Sequence, residues 1–170
     1  MGLFTSRPEG VIRMGPNMVI SSWEAVVPEA KGKAEKLWEE IERRMKEKEI
    51  PNLLYGREQV DGFFGDTKTS GQGSRPCFYF TNQEKMIGGP YITVVGAHDY
   101  GTYLLVSRWL LAPNLKEHLT ICNIFEKEII SAYLSIAHSV VVGSVEQITT
   151  DLQQDFSKIN TQAKGMLNIV

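Results

Sequence analysis

From Pro28 to Lys48, apolar side chains recur at three- and four-residue spacing. Ala30, Ala34, Leu37, Trp38, Ile41 and Met45 fall on one stripe, the signature of an amphipathic helix. On the opposite side Glu39, Glu40 and Glu42 each precede a base by four residues, Arg43, Arg44 and Lys46, an arrangement that supports a helix weakly in water. The pattern predicts a helix with one buried and one wet face. Pro28 suits its first turn, and Pro51 lies beyond its end.

Elsewhere in the first two thirds the pattern turns to short β-branched and aromatic runs. Asn17 to Val27 reads as a strand. Asn52 to Phe64 reads as another, with Gly56 weakening it or marking a bulge. "CFYFTN" (77–82) is a third. "PYITVVGAH" and "TYLLVSRWLL" form two more, joined tightly at 98–101. With Asp99 and Tyr100 at the tip, Ala97 faces Thr102, Thr93 faces Val106 and Tyr91 faces Arg108. A slip of one residue would exchange the two faces. Gly65 to Pro76 contains no apolar side chain and reads as the long internal loop.

The last third changes period again. Asn114 and Glu117 make a cap and partial capping box ahead of a stripe formed by Leu115, Leu119, Cys122, Ile129, Tyr133, Ile136 and Val140. Within it, Ile129 to Val145 falls slightly short of the ~20 residues a membrane span needs and carries His138, so a buried core helix is expected rather than a span. Gly143 weakens that helix. A further one is expected from Val145, because Val145, Leu152, Ile159 and Met166 lie seven apart, the spacing of a coiled-coil seam, with Phe156 on the same side. The expected fold is α+β: an antiparallel sheet of about five strands, one amphipathic helix packed on it, and a C-terminal helical segment, one long helix or two shorter. The organisation expected is an irregular segment 1–16, an α+β domain 17–142, and a helix 143–170 docked on the domain or on another subunit. Helix-grip ligand binders and secretion-chaperone-like domains share this order of elements, an architectural likeness that does not fix function.

Composition narrows the function. The chain has 170 residues, 18 basic and 20 acidic, for a net charge of −2, so no nucleic-acid footprint is present. Two cysteines without a CxxC pair and no glycosylation sequon point to a cytoplasmic setting. "MGLFTS" satisfies a loose Gly2 acylation pattern.

Arg108 is the one chemically distinctive residue, because a charge amid Leu104–Val106 and Trp109–Leu111 must reach water, a carboxylate or an anionic ligand. His98 and Asp99 are neighbours whose side chains diverge on extended chain, a poor geometry for a general base. His118, Cys122 and Glu126 share a helical side, but Cys122 falls on the apolar stripe, where a free cysteine acts as a small hydrophobe. "GDTKTSGQG" lacks the glycine that a phosphate loop needs before its lysine. No catalytic residue, metal site or cofactor is therefore expected. The leading expectation is a non-catalytic binding or regulatory domain acting through protein contacts, self-association among them, with Val145, Leu152, Phe156, Ile159 and Met166 as the contact surface. The alternative is a small-molecule binder or enzyme with a pocket between sheet and C-terminal helix. Arg108 would there meet an anionic or amphipathic ligand, with Tyr91, Tyr103 and Trp109 as walls.

Overall fold

The computed structural model describes residues 11–14, 18–50, 53–61, 74–82, 91–112 and 124–165. Seven strands are present: β1 (Val11–Arg13), β2 (Val19–Val27), β3 (Leu53–Asp61), β4 (Ser74–Asn82), β5 (Ile92–Tyr100), β6 (Tyr103–Leu111) and β7 (Asn160–Gly165). They form one sheet in the order β1-β3-β4-β5-β6-β2-β7. Six of them pair antiparallel, and β1 adds to the margin parallel to β3. Two helices, α1 (Ala34–Glu47) and α2 (Ile124–Asp151), complete the fold. The α+β class and antiparallel sheet are as the periodicity predicts, with more strands than expected.

The helix stripe is where the pattern places it. Leu37, Trp38, Ile41 and Met45 are buried in one core with Phe78, Phe80, Val95, Val106 and Leu110 of the sheet. The start of α1 is later than Pro28, because Glu29 (φ 54°) and Gly32 (φ 80°) take left-handed backbone that a helix cannot contain. That turn is held to the β5–β6 hairpin. Gly32 N–H donates to Asp99 Oδ1 at 2.9 Å, and Lys31 N–H to the Thr102 carbonyl at 3.2 Å. The hairpin tip is Gly101–Thr102, with Tyr100 opposite Tyr103 and Val95 opposite Arg108. The expected tip is thus displaced by two residues. Because the turn still holds two residues, the pairing shifts by four positions, an even number, and the division into faces survives while the individual partners change. Gly101, at φ 63°, supplies the positive φ that a two-residue hairpin turn requires. Gly56 makes no bulge. The β3–β4 register runs through it unbroken, and the Tyr79 ring lies over it, 3.4 Å from where a Cβ would stand. Ser74–Pro76, expected as the end of a loop, already belongs to β4.

Helix α2 continues through Gly143 as one element, so the boundary expected there is not a break. It runs antiparallel to α1. Lys36 pairs with Asp151 at 2.6 Å, while Arg44, two turns later in α1, lies over Gly143, two turns earlier in α2. α2 is long and apolar enough to cross a membrane by length and composition. Here Ile130, Tyr133, Ala137, Val140, Val141 and Ile148 are buried in the core shared with α1 and the sheet.

The final helix expected over 145–166 is not formed. α2 stops at Asp151, Gln153 takes φ 57°, and Gln154 ties the turn down, its Nε2 donating to the Pro28 carbonyl at 2.6 Å. A short 3-10 turn, Phe156–Lys158, leads into β7. At the described positions the seven-residue spacing is therefore an accident, with Val145 in the helix, Leu152 in the turn after it and Ile159 at the end of the 3-10 turn. Val145 is fully buried, and Leu152, Phe156 and Ile159 pack against this chain's own core. They do not lie along one helix face, so the helical seam expected of them is not formed. Met166 lies outside the described residues.

Candidate functional site

Strand alternation puts Arg108 on the helix-covered face, between Trp23 of β2 and Val95 of β5. Its side chain is only 5% exposed. It does not snorkel to water, and it pairs with no carboxylate among the described residues. Its hydrogen bond goes from Nη2 to Ser21 Oγ at 2.8 Å, while Nε is buried without a partner. Burial alone lowers its pKa to about 10. A guanidinium forms up to five donor contacts, and here the Nε donor is left unsatisfied among the described residues.

The helix above supplies a second polar group. His138 of α2 meets the Trp23 indole edge-on, ring centroids 6.0 Å apart, and its Nδ1 is also buried without a partner. Burial, and then the positive charge of Arg108, hold the imidazole below its ordinary 6.5, so it is neutral at pH 7. One fixed cation, one neutral imidazole and one hydroxyl thus lie in an apolar surrounding. Of these, Arg108 was legible in the sequence. His138 was visible as a polar interruption of an apolar run, and Ser21 and Trp23 carried no separable signal.

The four expected wall and anchor residues divide between the faces. Tyr91 shares the helix-covered face and is fully buried, and its pKa is raised to about 12 by burial and then by Glu126. Tyr103 and Trp109 do not belong to this site. Trp109 packs in a second apolar cluster with Val94, Cys77 and Leu111, its ring 3.0 Å from where a Cβ on Gly96 would stand. Tyr103 sits beside the hairpin turn, 44% exposed. Residues 103 and 109 are an odd number of positions from 108, and a strand turns such neighbours to opposite sides.

Deeper under α2 the Tyr133 hydroxyl is buried among Thr93 Oγ1 at 3.3 Å and the Phe80 and Tyr91 carbonyls at 3.2 and 3.5 Å. This is a satisfied structural network that anchors the helix. The hairpin corner is structural too. Asp99 holds the α1 turn, while His98 meets Arg75 Nη1 at 3.2 Å and is kept below its ordinary pKa by burial and then by that charge. His118, Cys122 and most of the 65–76 loop lie outside the described residues.

No family model, no curated protein and no solved structure matches the chain. What the site can do therefore rests on its chemistry alone.

Proposed function

We propose that this protein binds an organic carboxylate with an apolar body between the sheet and α2, Arg108 meeting the carboxylate. The observation that supports the reading is the buried guanidinium with no anionic partner among the described residues. An uncompensated buried charge is among the most destabilising features a core can hold, and a ligand carboxylate would neutralise it through charge-assisted hydrogen bonds. A single negative charge fits best. With His138 neutral, a monoanion brings the site to zero charge, whereas a dianionic phosphate would leave an excess charge in an apolar surrounding. Trp23, Val95, Val106 and Leu110 provide contacts for a hydrocarbon or aromatic body. The binding reading needs no catalytic group and proposes none.

The test is a thermal-shift titration with octanoate, decanoate and benzoate, and with decanol as the uncharged control. A carboxylate is expected to raise the melting temperature of the parent in a concentration-dependent way. Decanol is expected not to, and Arg108→Met is expected to lose the response while remaining folded. No shift with any carboxylate, or an equal shift in Arg108→Met, overturns the reading.

A further inference from the structure

β7 forms one margin of the sheet, paired to β2 from Ser21–Gly165 to Val26–Asn160 without a break in register. Asn160 to Lys164 are all exposed. A strand offers hydrogen-bonding groups to both sides, and among the described residues no strand lies beyond β7. Natural sheets blunt such an edge with a very short strand, a proline, a bulge or several charges. The opposite margin follows that rule, since β1 is three residues long. β7 does not follow it. It has six residues, "NTQAKG", with no proline, no bulge and the single charge of Lys164.

We propose that β7 pairs antiparallel with β7 of a second copy of this chain across a two-fold axis, joining the two sheets into one. The charge pattern allows a register centred on Gln162 and disfavours the one before it. Centred on Gln162, the pairing sets Gln162 against itself, Ala163 against Thr161, and Lys164 against Asn160, so amides meet and no like charges are opposed. Centred one residue earlier, it would set Lys164 against Lys158 of the adjoining turn, and like charges directly opposite destabilise a sheet. An axis through Gln162 also keeps the helix layers of both copies on the same side. A dimer held by one short strand pair buries less than a standard interface, so the expected association is weak, in the micromolar range.

Sedimentation velocity of the full chain across a concentration series tests this, beside three variants that each add one cysteine to the native two. The parent is expected to pass from monomer to dimer. Gln162→Lys, at an exposed position, is expected to return it to monomer with unchanged circular dichroism and unchanged carboxylate response. On air oxidation Gln162→Cys is expected to give a disulfide-linked dimer above the parent's background. Asn160→Cys and Lys164→Cys, each far from its own copy in this register, are expected not to. A parent that stays monomeric at every concentration, a dimer indifferent to Gln162→Lys, or cross-linking equal at all three positions overturns the proposal. None of these outcomes bears on the carboxylate site.

Discussion

Arg108→Met is expected to stabilise the protein in the absence of ligand. Burial lowers the guanidinium from its ordinary, far more basic value to about 10. At ~1.36 kcal/mol per decade of proton affinity, keeping it charged beneath α2 costs roughly 3 kcal/mol. Methionine removes that cost, and its flexible apolar chain fills similar space. The loss of the Ser21 hydrogen bond returns about 1 kcal/mol, leaving a net gain of about 2 kcal/mol. For a chain of this size that raises the melting temperature by about 4–8 °C. The pH dependence has a definite sign. Below pH 10 Arg108 is charged in both folded and unfolded chains, so its penalty is present in full. Above about pH 10 the folded chain releases the proton before the unfolded chain does, and the parent gains stability relative to the variant. The assay is thermal unfolding followed by circular dichroism at pH 7, with Arg108→Lys as the comparison. Lysine retains a buried charge and loses the fork geometry, so it is expected to gain nothing. An Arg108→Met protein that melts several degrees below the parent, or does not fold, would show that the guanidinium is structural and refute the reasoning.

Three other outcomes follow from the same structure. His138 is expected to titrate below 6.5 by NMR and to move upward in Arg108→Met, since burial and then Arg108 depress it. Its stabilising contribution is present above pH 6.5 and is lost as pH falls towards the folded value, and an unmoved titration in the variant would separate the two residues. Two glycines are expected to respond oppositely to alanine, as denaturant unfolding would measure. Gly96→Ala sets a Cβ 3.0 Å from the rigid Trp109 ring and is expected to cost about 1–3 kcal/mol. Gly143→Ala meets only the movable end of Arg44, at 2.7 Å, while gaining about 1 kcal/mol of helix propensity, so it is expected to be neutral or stabilising. Tyr133→Phe is expected to cost about 1–2 kcal/mol by removing the buried hydroxyl between Thr93 and the Phe80 carbonyl.

The sequence by itself determined the elements whose period is local and repeated. The α1 stripe and the alternation of β6 follow from burying one side of each element more deeply than the other, and that side is written into consecutive residues, whereas β5 is buried on both faces and shows only as an apolar run. Arg108 was also legible, because a charge within an apolar run has to be accounted for. Tertiary structure decided the rest. Seven-residue spacing from Val145 to Ile159 cannot distinguish a continuous helix from a helix end followed by turns. The left-handed Gln153 and the hydrogen bond from Gln154 to the Pro28 carbonyl end α2, and β7 becomes an edge because β2 has a free side to receive it. The hairpin partners were settled by Gly101, whose positive φ places the turn two residues beyond the tip that Asp99 suggested. The site itself joins Ser21, Arg108 and His138, residues distant in sequence. Only the docking of α2 brings a neutral imidazole and a guanidinium without an ion pair among the described residues under one cover.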